Sequence, residues 1–177
     1  APDMFVVGKC VAGGMPTAVW GMTPAVADRL AQVNAKRAQG RTGMGTTLSA
    51  NPMQFACLRA TLAEVMTEAN YAHMERLAGV LEAGLSGVIA RLGAPWHVLR
   101  VGARVEVICW PAPLRNGAEA ELAHAPALEA AIHQGLVNRG VLIAPFHNMM
   151  LVSPATGTEQ VDRLVAAFGD VAGELCG

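Results

Sequence analysis

The chain reads as an α/β protein that closes in a small α+β domain, and three observations predict this. Short β-branched runs bounded by glycine and proline alternate with stretches whose apolar residues recur at helical spacing. Prolines preceded by Thr or Asn mark helix starts, and glycines mark helix ends. The 177 residues are 53% hydrophobic with a net charge of −1, which is enough apolar side chain for a sizeable core. No charge excess favours nucleic acid or an acidic membrane face. Apolar runs are broken by Lys9, glycines or prolines well short of a membrane span, and no basic-then-apolar leader opens the sequence. These features predict a soluble, cytoplasmic protein. Cys10, Cys57, Cys109 and Cys176 are scattered, with no C-x-x-C pair and no histidine at ligand spacing. They read as buried reduced thiols, and no metal site is expected.

The elements follow in order. "MFVV", residues 4–7 before Gly8, predicts a buried strand. A turn through Gly13, Gly14 and Pro16 leads to a second strand at 17–20, so Lys9 stands at a strand end of a hairpin-like or crossover pair. Thr23-Pro24 caps a helix over 24–33. The polar, basic, glycine-rich 34–45 predicts a surface loop. Asn51-Pro52 opens a helix with Phe55, Leu58, Leu62 and Val65 on one face. Asn70 begins a long helix to Leu92, with Met74, Leu77, Leu81, Leu85, Val88 and Leu92 as its core stripe. Strands follow at 96–101 and 103–110, the second alternating through Val105, Val107 and Cys109. "PAPLRNGAEAE" is a turn-rich connection with Arg115 at its tip. A helix over 128–139 stops at Gly140, strands lie at 141–144 and 149–153, and an amphipathic helix closes the chain over 158–175. The organisation expected is the end of a larger domain over 1–70, a connecting helix over 71–93 and a small α+β domain over 94–177.

Lys9 admits two readings from its surroundings. It snorkels to water from a strand end, or it is a nucleophilic amine of the Schiff-base kind held on a rigid element. Gly8 removes a side chain beside it, and Gly13-Gly14 lets the backbone pass close to a planar group. In "GMGTTLSANP", residues 43–52, the hydroxyls of Thr46, Thr47 and Ser49 sit just ahead of a capped helix, a place that suits a phosphate or simply caps the helix.

Together, "VVGKCVAGGMP" and "GTTLSANP" resemble the class III pyridoxal-phosphate aminotransferases of the aspartate-aminotransferase fold, known as fold type I. The resemblance implies that Lys9 forms the internal aldimine with pyridoxal 5'-phosphate and, once released, carries the proton between substrate Cα and cofactor C4′. It implies that Thr47, with Thr46 as the adjacent alternative, contacts the phosphate of the neighbouring subunit in a homodimer. "NRGVLIAPFHNMMLVSPAT" is similar to the branch holding glutamate-1-semialdehyde aminomutases and β-phenylalanine-type aminotransferases, and "PFHNMMLVSPAT" looks closer to the latter.

Many members hold a substrate carboxylate with an arginine in this last strand region, whereas residues 142–156 here contain none. Arg115 is the substitute candidate, through a paired fork, or else an exposed loop arginine; Arg104 is the runner-up, or else the partner of Glu106. His147 either lines the pocket or packs as a structural histidine. The family's phosphate cup, ring-stacking aromatic and pyridine-pairing aspartate precede the lysine, and Asp3 is too close in sequence to replace the last. The chain is thus expected to correspond to roughly the C-terminal two-fifths of the family's length, with unpartnered strands exposing edges and apolar faces. The function expected is amino transfer from an amino acid, β-amino acids included, to a keto acid. The alternatives are an aminomutase and a catalytically incomplete assembly domain.

Overall fold

The computed structural model describes residues 1–38, 45 and 47–177, and these divide into two compact units, Ala1–Thr67 and Glu68–Gly177. In the first, β1 (Met4–Gly8) and β2 (Ala18–Met22) form an antiparallel hairpin whose register runs from Met4 opposite Met22 to Gly8 opposite Ala18. A 3₁₀ turn, Lys9–Ala12, follows β1 directly, with Val11 and Ala12 buried. Helix α1 (Pro24–Ala35) starts where Thr23-Pro24 predicts. The Thr23 side chain makes no cap bond, and its amide instead donates to the Asp3 carbonyl at 3.0 Å. Helix α2 (Pro52–Ala60) is capped by Asn51 Oδ1, which accepts from Met53 N at 2.9 Å. A π turn, Thr61–Val65, then ends this segment.

Two expectations for this unit fail. Phe5 and Val6 are 64% and 66% exposed, because the two-stranded sheet has no covering layer among the described residues. The Phe55, Leu62 and Val65 face is exposed as well. This matches the expectation of unpartnered strands and faces, and not that of a buried strand. Cys10 is exposed rather than buried.

The second unit has a core of its own. Helix α3 (Glu68–Leu92) packs its Leu77, Leu81, Leu85 and Val88 stripe against α6 (Thr158–Cys176) and against the sheet of β3 (His97–Val101), β4 (Arg104–Ile108) and β5 (Met149–Leu151). The sheet order is β3-β4-β5, antiparallel throughout. Val105 and Val107 face the core, and Trp96 meets Phe168 with ring centroids 6.4 Å apart. Helix α5 (Pro126–Asn138) packs on α6 so closely that a Cβ on Gly135 would lie 2.7 Å from a Val171 methyl. Arg100 ties β3 to α3 through Glu82 at 2.6 Å, and His73 Nε2 meets the Thr156 carbonyl at 2.8 Å.

Four local expectations are corrected here. The long helix begins at Glu68, not Asn70. The connection after β4 contains a helix, α4 (Gly117–Leu122), because Asn116 Oδ1 accepts from Glu119 N at 3.0 Å and so caps it. Residues 141–144 form no strand; Ala144 N donates to the Met149 carbonyl, and left-handed backbone at His147 and Asn148 (φ 58 and 43) turns the chain tightly into β5. Cys176 is exposed, whereas Cys109 is half-buried. Among the described residues no helix is long and apolar enough to cross a membrane, and no group of three or more His, Cys, Asp or Glu side chains is placed to hold a metal.

Candidate active site

Lys9 follows the last ladder pair of the hairpin, and its backbone is left-handed, φ 56. Such a conformation is uncommon for a residue with a Cβ and persists only where the surroundings over-determine it. Those surroundings are specific. A Cβ on Gly8 would meet Ala18 Cβ at 3.2 Å and the Thr17 carbonyl oxygen at 3.3 Å, so glycine lets the strands close tightly beside the lysine. Gly13 and Gly14 adopt φ 61 and 94, turning the chain back at once. Side chains and backbone of Lys9, Met15, Pro16 and Thr17 line an open concavity. The Lys9 side chain is exposed and pairs with no described residue. A primary amine without a partner among the described residues, on strained backbone, fits a group that presents a carbonyl carbon. Among the described residues of this unit, no carboxylate competes for the amine.

Thr47 is exposed in the turn over 47–50 that precedes the Asn51 cap of α2. Thr46 lies outside the described residues. The residue sequence reasoning missed is Gln54, whose Nε2 donates to the Pro16 carbonyl at 2.8 Å and so ties α2 to the loop that carries Lys9. The spacing Asn51-x-x-Gln54 was legible as a capping-box pattern, but it does not say that the amide leaves the helix.

The three substrate-side candidates lie in the second unit. Arg104 is bonded to Glu106, a carboxylate that is itself buried. Arg115 is 83% exposed and bonded to Glu119 at 2.7 Å, one helical turn on. The Arg115 side chain and then its backbone N–H hold the Glu119 carboxyl below the usual carboxylate range. His147 stands edge-on to Phe146 with centroids 5.8 Å apart, and 6.0 Å from the His124 ring. A cavity of about 270 Å³ is lined by Glu106, Leu114, Cys109, His124, Glu129 and His147, so the partner of Arg104, the neighbour of Arg115 and His147 itself surround one space. His124 Nδ1 meets Glu129 Oε1 at 2.8 Å. Burial foremost, then the charges of Glu129 and Cys176, push the Cys109 thiol up to about 11, so this wall carries a neutral thiol.

A hairpin bearing a lysine on its turn, a capped helix and a separate antiparallel sheet covered by helices are shared with solved proteins of fold type I, the aspartate-aminotransferase fold. The described fold matches a lysine-to-alanine variant of a glutamate-1-semialdehyde-aminomutase from Pseudomonas aeruginosa PAO1, solved in complex with PMP, with a TM-score of 0.93 and 47% identity over 99% of this chain and 40% of that one. It also matches the fold of a β-phenylalanine aminotransferase from Variovorax paradoxus, with a TM-score of 0.81 and 22% identity over 97% of this chain and 38% of that one. Glutamate-1-semialdehyde 2,1-aminomutase of Paracidovorax citrulli is 31% identical over 96% of this chain and 38% of its own length. The profile of the class-III aminotransferases matches residues 1–171, and the chain belongs to that family. It spans about two-fifths of the length of the relatives it matches. Identity over the chain is 47% toward the Pseudomonas aminomutase and 22% toward the β-phenylalanine enzyme.

Proposed function

We propose that this chain carries the reactive-lysine end of a pyridoxal-phosphate enzyme that moves an amino group from an amino acid to a keto acid. The observation that carries the reading is Lys9, an exposed amine with no partner among the described residues, on left-handed backbone at the end of a glycine-tight hairpin, in a chain of the class-III family. When bound, pyridoxal phosphate supplies a carbonyl carbon and an electron-accepting ring. Lys9 Nζ would hold that carbon as the nucleophile, and as a free amine it would move the proton at the substrate Cα. The Thr47 hydroxyl would hold the phosphate, in a two-fold homodimer that of the partner subunit. Arg115 receives a substrate carboxylate by exchanging Glu119 for it, which its exposure permits. Arg104 is less free, since its partner Glu106 is buried. His147, which lines the cavity beside Glu106, is the third substrate-side candidate.

A second reading is favoured by one observation, the identity to glutamate-1-semialdehyde aminomutases. In it the same lysine moves the proton, and the amino group returns to a neighbouring carbon of the same molecule. Product analysis with and without an added keto acid separates the two, since only transfer requires the acceptor.

The test of Lys9 uses the other lysine of the chain, Lys36, as its internal control. The protein is incubated with pyridoxal phosphate, reduced with borohydride and digested for peptide mass spectrometry. The expected result is a phosphopyridoxyl adduct on Lys9 well above that on the exposed Lys36, and its loss in Lys9→Ala. Equal labelling of the two lysines overturns the assignment. A protein that stays colourless and takes up no cofactor favours the assembly-domain alternative.

A further inference from the structure

We propose that Gln54 is a positioning residue for Lys9, acting through the Pro16 carbonyl. The inference rests on the reading of Lys9 given above. Residues 9–17 join the paired ends Gly8 and Ala18, and the left-handed Lys9 is the first residue of that loop. On the entry side the loop is fixed by the ladder and by the buried Val11 and Ala12. Two turn bonds follow, Gly13 N to the Cys10 carbonyl at 3.3 Å and Met15 N to the Ala12 carbonyl at 3.1 Å. A single 3₁₀ turn with so few bonds does not hold its shape unaided.

The exit side is tied differently. Pro16 has no N–H, so its carbonyl is the one backbone hydrogen-bonding group it offers. Gln54 Nε2 takes that carbonyl at 2.8 Å across 38 residues of sequence. The base of the tie is rigid, because Gln54 lies in the first turn of α2, where Asn51 caps Met53 N and Pro52 fixes the first helical residue. A second contact supports the same geometry from beyond: the buried Thr61, first residue of the π turn, lies beside Gly13, where an added Cβ would meet its Oγ1 at 3.3 Å. The loop bearing Lys9 is therefore held from α2 at Pro16 and from the π turn at Gly13. Of these two contacts, only the Gln54 tie is a directional bond that one atom change removes.

Gln54→Met keeps the length and loses the bond, and Gln54→Glu keeps the shape but replaces the donor with an acceptor facing a carbonyl. Gln54→Arg restores a donor. The full chain is labelled with pyridoxal phosphate and borohydride, and the initial rates of adduct formation at Lys9 and Lys36 are read separately. From the usual net value of one hydrogen bond, the Lys9 rate should fall about three- to ten-fold in the first two variants, with the Lys36 rate unchanged and Gln54→Arg recovering Lys9. A merely structural role would change both lysines or neither. Should Gln54→Met not fold, Gln54→Glu carries the same expectation. Preferential Lys9 labelling that persists at the wild-type rate in Gln54→Glu overturns the proposal while leaving the reading of Lys9 standing. Absence of any Lys9 preference in the wild-type protein overturns both.

Discussion

The contact between α5 and α6 offers a sharp test of the packing that builds the second unit. A Cβ placed on Gly135 would lie 2.7 and 2.8 Å from the two methyls of Val171 and 3.4 Å from its Cβ. Ordinary carbon contacts lie at about 3.5–4.0 Å, so each methyl intrudes by roughly 0.8 Å. Val171 is buried, and a valine in a helix has one strongly preferred rotamer, so it cannot swing both methyls clear. The helices must separate, at about 1–3 kcal/mol for overpacking of this kind. Against this, Gly135→Ala gains about 1 kcal/mol of helix propensity. The expected net loss is about 1 kcal/mol, read as a lower midpoint in urea at unchanged slope. In a Val171→Ala background the clash is gone and Gly135→Ala should instead stabilise. The two substitutions are thus coupled by roughly 2 kcal/mol, well beyond the additivity expected of independent sites. A gain from Gly135→Ala in the wild-type background, or simple additivity of the pair, would refute the reasoning.

Two further predictions concern titration. Glu119 is held low by Arg115, so this interaction is present above the ordinary carboxylate value and is lost as pH falls through the lower folded value. Arg115→Gln should move the Glu119 midpoint up in a carboxyl NMR titration, and an unmoved midpoint contradicts the pairing. Cys109 is raised to about 11, so its contribution to stability is full below the ordinary thiol value and is lost as pH rises through about 11. Its alkylation should stay slow at pH 9 and climb toward pH 11, and Glu129→Gln should lower the midpoint by less than half the shift because burial is the larger cause. A reaction already at its plateau by pH 9 contradicts the burial.

Much of the fold was legible because local chemistry and tertiary structure agree. Thr23-Pro24 and Asn51-Pro52 open helices where they stand, and the stripe from Leu77 to Val88 is the core face of α3. Lys9 was legible at the end of its strand from the glycines around it. Where reading failed, a cap or a tight turn decided the outcome. The Asn116 cap turned an expected loop into α4, and the turn at His147 and Asn148 left 141–144 without a ladder.

The candidate site divides in the same way. Residue identities alone carried the family resemblance, and glycine, proline and cap residues, which constrain backbone within a few positions of themselves, marked the strand end at Lys9 and the helix start that follows the hydroxyl-bearing segment. The pairing of Arg104 with Glu106 stood as an alternative in the sequence, and tertiary structure decided that Glu106 and His147 face one cavity and that Gln54 reaches Pro16. These are matters of which partner lies within about 3 Å after folding, and spacing along the chain does not encode them.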